Sequence, residues 1–148
     1  LIRFGKAGAV PRRGFVGRTN GRTKPDWYSG SRTERYRADL GHHVRSRWEA
    51  NVARWLLWKG QEYCYEPTIF QVAGEGYCPD FWVYEWGIWL EVKGLWLGRA
   101  RRKVRSFVFE YTTERLAVVD QDLYRELGRE YKAAYKAGEI QGLEAWEE

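Results

Sequence analysis

The most restrictive pattern in the chain lies between residues 78 and 93. Residues 78–84 and 88–93 are two apolar runs, rich in aromatic and β-branched side chains and too short for helices, joined through Glu85-Trp86-Gly87. Short runs of this kind on either side of a glycine-containing turn read as a β-hairpin. Trp82, Trp86 and Trp89 read as mainly core residues of that hairpin. Apolar side chains on both strand faces exceed what one sheet face needs, and the surplus is available to a dimer surface. A chain of 148 residues with a 17% aromatic share can bury such a hairpin within one domain, because each buried Trp or Tyr removes a large area from water.

Upstream, Ala53, Leu56 and Leu57 recur at i, i+3, i+4, and Trp48, Val52 and Trp55 widen the stripe. That spacing predicts a helix from about Ser46 to Lys59. Ser46-Arg47-Trp48-Glu49 has the form of a capping box, and Gly60 stands where the helix should stop. Residues 62–66 read as a strand, Pro67 interrupts it, and 68–73 read as another, with Gly74-Glu75-Gly76 as a turn. Beyond the hairpin, Ala100, Val104, Phe107, Val108 and Tyr111 line one face of a helix predicted over 99–110. Residues 115–119 read as a strand, and Asp120 can cap a last helix carrying Leu123, Leu127, Tyr131 and Ala134. This order predicts an α/β or α+β class, a mixed central sheet flanked by helices.

The net charge of +5 is unevenly spread. Residues 1–48 hold twelve Lys and Arg against Asp26, Glu34 and Asp39, a net of +9, which leaves −4 for the remainder. Such asymmetry points to a polyanionic partner, nucleic acid being the simplest. Residues 1–37 are expected to form a Gly- and Arg-rich basic arm, with Arg12, Arg13 and Arg18 among its cations, and residues 38–148 the folded domain. The arm either contacts DNA or straps a partner subunit. Cys64 and Cys78 form no CxxC pair and are too few for a disulfide framework, so reduced thiols in a cytoplasmic protein are expected. No apolar run approaches the roughly 20 residues that cross a bilayer, and no signal-peptide pattern opens the chain. A membrane role is therefore not expected.

The chemistry sits on the hairpin. Residues two apart on a strand share a face, so Glu91 and Lys93 point the same way. If the two runs pair, Asp80 at the start of one lies near Glu91 at the end of the other. Two carboxylates and an ammonium then converge. Hard oxygen ligands with an open coordination position suit Mg²⁺ or Mn²⁺ better than zinc, and the backbone carbonyl of Val92 can add another oxygen. The chemistry such a site suits is phosphodiester hydrolysis. A bound metal acidifies water and offsets charge on the phosphate, while Lys93 orients or deprotonates that water and stabilises the transition state. Glu49, at the start of the first helix, can add a metal ligand directly or through water; a capping role explains the same residue, and the two are compatible. Arg99, Arg101, Arg102, Lys103 and Arg105 follow closely after the site and are expected at phosphates, the alternative being a solvated helix face. His42 and His43 have no partner at metal spacing and are expected in structural or phosphate-side contacts.

Pro79-Asp80, ten intervening residues, then Glu91-Val92-Lys93 resembles the signature of the PD-(D/E)xK nuclease superfamily. The segments 45–49, 63–66, 77–81 and 90–96, taken in order, resemble the phage endonuclease I group, which resolves branched DNA. The likeness covers about residues 45–105. It implies a restriction-endonuclease-like core and a phage-type Holliday junction resolvase, working as a homodimer with one active site per subunit and cutting four-way junctions. It assigns Asp80 and Glu91 to the metal with Mg²⁺ or Mn²⁺, Lys93 to assistance, and Glu49 to the upstream helix position. Arg45 and Arg47, which flank that helix start, are expected at DNA. The group's dimerisation segments find no match in this chain. Because the core motifs also occur in transposon-end, mismatch and restriction nucleases, cleavage of linear duplex is the alternative. A non-catalytic nucleic-acid-binding module is a further one, opposed by the intact Asp80, Glu91 and Lys93.

Overall fold

The computed structural model describes residues 35–148. The elements in chain order are β1 (Arg35–Arg37), β2 (His42–Val44), α1 (Arg47–Trp58), β3 (Tyr63–Tyr65), β4 (Phe70–Val72), β5 (Glu75–Tyr77), β6 (Phe81–Val83), β7 (Ile88–Val92), α2 (Gly98–Glu110), β8 (Leu116–Val119) and α3 (Gln121–Lys136). Four strands form the central sheet in the order β3-β6-β7-β8. β6 pairs antiparallel with β3 and β7, whereas β7 and β8 run parallel. A parallel neighbour needs a long crossover, which α2 supplies. The class is therefore α+β with a mixed sheet flanked by helices, as the element order predicts.

Alternation along the strands sorts side chains into two cores. Tyr63, Tyr65, Phe81, Val83, Leu90 and Val92 pack into a cluster with residues of α1 and α3. Cys64, Trp82 and Trp89 pack on the other side with Phe70 and Val72 of the β4–β5 hairpin and Phe107 of α2. Of the hairpin's three tryptophans, Trp82 and Trp89 are consumed inside the subunit, whereas Trp86 at the turn is exposed. Trp82 and Trp89 are buried, which corrects the reading of that face as a dimer surface; a sheet covered on both faces needs apolar residues on both.

Helix α1 begins with one half of the capping box, the Glu49 carboxylate taking the Arg45 N–H in place of the Ser46 N–H. The Ser46 hydroxyl accepts from the Glu49 N–H at 3.1 Å, and beyond the C-terminus Gly60 and Gln61 N–H groups close on Leu57 and Leu56 carbonyls. Asp120 caps α3 by accepting from the Leu123 N–H at 3.0 Å. Leu123 itself is 37% exposed, and Tyr124 takes the core position instead. The Tyr124 ring stacks on Trp48 at 3.7 Å and its hydroxyl receives the Asn51 amide at 2.7 Å. Gly74-Glu75-Gly76 is not the turn. Ala73 and Gly74, both at positive φ, make a two-residue connection, and Glu75–Tyr77 is strand β5 paired with β4.

Two features have no local signature: the β1–β2 hairpin and the tail after α3. Both converge on Arg54, a fully buried guanidinium in α1. It reaches Asp39 at 2.6 Å, Glu147 at 2.8 Å and Glu144 at 3.1 Å. Among the described residues, no helix is long and apolar enough to cross a membrane.

Candidate active site

The pairing of Phe81 with Leu90 places Asp80, one residue before β6, opposite Glu91 of β7. Each of these carboxylates is only 4% exposed. Asp80 is fixed from two sides: its Oδ2 accepts the Val92 N–H at 2.6 Å, and its backbone carbonyl accepts the Glu66 N–H at 2.8 Å. Glu91 accepts the Tyr77 hydroxyl at 2.9 Å on Oε2 and pairs with the Lys93 ammonium at 3.0 Å on Oε1. Asp80, Glu91 and Lys93 therefore meet where the pattern places them. The visible part of Val92 in the site is its N–H on Asp80.

Burial pushes the Asp80 carboxyl well above the usual carboxylate range, and the Glu91 and Glu49 carboxylates push it the same way. The Val92 N–H and the Arg45 guanidinium work against that rise. Arg45 lies against both the Glu66 carboxylate and Asp80, the latter at 3.5 Å. Glu66 is buried and adopts a left-handed backbone at φ 44°, a costly conformation for a residue other than glycine.

Glu49 stands beside this group rather than in it. The Ser46 hydroxyl donates to it at 2.8 Å, the Arg45 N–H at 3.1 Å, and the Tyr65 hydroxyl also donates. Its carboxylate is thus engaged in starting α1 and holding β3, and it reaches Asp80 through charge. The capping half of the expectation thus has a structural counterpart, while toward Asp80 Glu49 acts through its charge.

A cleft of about 630 Å³ opens over Glu91 and Lys93. Tyr77 and Cys78 form part of its wall, and Arg45, Arg99 and Lys103 add positive charge. Glu75 on β5 holds Arg99 at 3.1 Å and Lys103 at 3.5 Å, and Lys103 also donates to the Gly76 carbonyl at 2.9 Å. Arg101 and Arg105 belong to a different place, a shallow depression with Trp96 and Val104. Arg102 is exposed, and Arg47 donates to the Glu148 carbonyl. The seven described cations expected at DNA thus split, with Arg45, Arg99 and Lys103 at the cleft and Arg47, Arg101, Arg102 and Arg105 away from it. Arg12, Arg13 and Arg18, with residues 1–34 of the basic arm, lie outside the described residues, whereas the end of that arm, Arg35–Arg37, is strand β1 of the folded domain.

His42 is structural. It is buried, with Nε2 2.8 Å from the Tyr63 hydroxyl and Nδ1 2.9 Å from the His43 carbonyl. Neither Cys64 nor Cys78 forms a disulfide. Burial pushes Cys64 up to about 11, and raises Cys78 as well, helped by Glu66 and Asp80. Three site residues escape the motif reading: Tyr77 on Glu91, Tyr65 on Glu49, and Glu66 on Arg45. Tyr65 and Glu66 lie in the segment 63–66 and Tyr77 directly precedes Cys78-Pro79-Asp80, so proximity was available as a signal, but their partners were not.

No group of three or more His, Cys, Asp or Glu among the described residues is arranged as a ready cage for a metal ion. What is present is a buried carboxylate pair with a third carboxylate in electrostatic reach. That donor set fits a hard divalent cation of the Mg²⁺ type, which commonly takes one or two carboxylates and completes its shell with water and phosphate. The raised Asp80 carboxyl supports the fit, since a cation would relieve the repulsion that raises it. No family model, curated protein or solved structure matches the chain.

Proposed function

We propose that the chain is a metal-dependent nuclease of the PD-(D/E)xK kind, its central sheet corresponding to a restriction-endonuclease-like core. More particularly, it is a DNA endonuclease that cuts branched DNA such as a Holliday junction, using Mg²⁺ or Mn²⁺ and acting as a homodimer. One observation carries the reading: Asp80 and Glu91 converge in burial at the open end of the β6–β7 hairpin, with Lys93 3.0 Å from Glu91 and a positively lined cleft above them.

Asp80 and Glu91 would hold the cation, with Glu49 contributing charge or a water-bridged contact. When bound, the metal supplies Lewis acidity at the phosphate and a more acidic water. Within the chain, the Val92 N–H orients Asp80 and the Tyr77 hydroxyl orients Glu91. Lys93, part-exposed where the two carboxylates are buried, reaches into the cleft and can hold or move a proton at the attacking water. Arg99 and Lys103 would fix the DNA backbone without reading sequence.

The choice of branched DNA over linear duplex rests on the ordered likeness to the phage endonuclease I group. The binding-only alternative leaves the buried carboxylate pair without a purpose, because two like charges out of water weaken a fold unless something uses them. The deciding experiment is cleavage of a four-way junction and of a linear duplex of matched sequence, with Mg²⁺ and with chelator. Metal-dependent cutting of the junction alone is expected. Equal cutting of both would favour the linear-duplex alternative, and no cutting of either under Mg²⁺ or Mn²⁺ would overturn the nuclease reading.

A further inference from the structure

The loop leaving the site carries an apolar feature that phosphodiester chemistry does not use. Residues 94–97 connect β7 to α2, and within them Leu95 is 71% exposed and Leu97 is 63% exposed. Both line the cleft that holds Glu91 and Lys93. Positions 91, 93, 95 and 97 thus all contribute to one cleft, while Trp96 lines the separate depression with Arg101 and Arg105.

The base of this loop lies close against α1. A Cβ at Gly94 would come within 3.1 Å of the Trp48 ring, and Trp48 is stacked on Tyr124. The loop therefore starts against Trp48, and Leu95 and Leu97 line the same cleft as Lys93, Arg99 and Lys103. Phosphate gives an aliphatic side chain nothing to bind. A nucleobase face does, and leucine is among the side chains that wedge between base steps.

We propose that Leu95 and Leu97 form a wedge subsite for an unstacked nucleobase, flanked by Arg99 and Lys103 on the neighbouring phosphates. The inference rests on the nuclease reading and deepens it, because it supplies a physical source for branch selectivity. Opening a stacked step costs energy, and that cost is smallest where pairing or stacking is already interrupted. A wedge therefore favours a branch point over continuous duplex with no contact to base edges.

The test uses full-length Glu91→Gln protein, to suppress cleavage, titrated onto a four-way junction carrying 2-aminopurine at the branch point and onto a paired duplex of the same sequence. Leucine does not quench 2-aminopurine, so a severalfold rise in emission is expected with the junction and little with the duplex. Adding Leu95→Ser and Leu97→Ser should leave the thermal melt unchanged, since both side chains are exposed. The double variant should lose the emission rise, and its preference for junction over duplex should fall roughly tenfold, the scale of one lost base contact. A full emission rise and unchanged preference in the double variant would overturn the wedge. So would parent protein that binds both DNAs equally with no rise. Parent protein that binds neither DNA would instead overturn the nuclease reading beneath it.

Discussion

At the scale of single residues, Asp80 and Glu91 are buried acids, and burial with its neighbours raises the Asp80 carboxyl above the usual range. Asp80→Asn or Glu91→Gln should lower cleavage by roughly 100-fold or more while leaving DNA binding nearly intact, since each removes charge from the chemistry and not from the basic rim. Asp80→Asn should also raise the melting midpoint in chelator, because it removes a carboxylate that burial and two neighbours disfavour. Undiminished turnover in either variant would dislodge the assigned site. Lys93→Ala should slow cleavage strongly with little change in Mn²⁺ affinity measured calorimetrically. Lys93→Arg should not restore the rate, because guanidinium gives up no proton at working pH; near-normal turnover would argue against proton transfer. His42 supplies a pH test. Desolvation lowers its pKa below the ordinary value. Its contribution to stability is therefore complete above the unfolded histidine range and is lost as pH falls toward the depressed folded value. The melting midpoint should drop more between about pH 7 and pH 5 in the parent than in His42→Gln, where about 6.5 is the unfolded reference; parallel curves would contradict this.

Elements place these residues through their ends. The β6–β7 hairpin sets Asp80 against Glu91 because both sit at its open end, twelve positions or fewer from their partners in the register. Helix α1 contributes through its first turn, where Ser46 satisfies the Glu49 N–H that a helix start leaves without an intrahelical partner, and Glu49 takes the Arg45 N–H just before the cap. Ser46→Ala should cost about 1 kcal/mol in urea denaturation. Because Ser46 also donates to Glu49, the same change should slow cleavage modestly; a stability loss with no change in rate would confine Glu49 to capping.

For the whole molecule, the decisive packing is around Arg54. The tail delivers Glu144 and Glu147 to it, and Trp146 lies over Gly128 of α3. Arg37 from β1 joins through Glu147 at 2.6 Å, so the first described strand and the last residues close over one face of α1. Deleting residues 139–148 would leave a buried guanidinium short of two carboxylates, and breaking a buried pair of this kind costs roughly 3–5 kcal/mol. A loss of that size in the urea midpoint is expected. A truncated protein as stable as the parent would mean that Asp39 and Asn51 satisfy Arg54 alone.

What the sequence determined by itself is whatever physics reads within a dozen residues. Helix starts at Ser46 and Asp120 and the stop near Gly60 follow from groups that satisfy nearby backbone, and alternation over 78–93 is enough to bring Asp80, Glu91 and Lys93 to one hairpin end. Tertiary structure alone decided the rest. The exchange of Leu123 for Tyr124 depends on Trp48, far away in sequence. The turn moved to Ala73-Gly74 because pairing with β4 requires positive φ at both positions, against the preference of alanine. Arg54 carries no local mark of its burial until Asp39, Glu144 and Glu147 arrive, and Tyr77 and Glu66 have no side-chain partner at the site until folding aligns their elements. These outcomes are energies of contact between distant segments, and no local pattern encodes a partner that only the folded chain brings near.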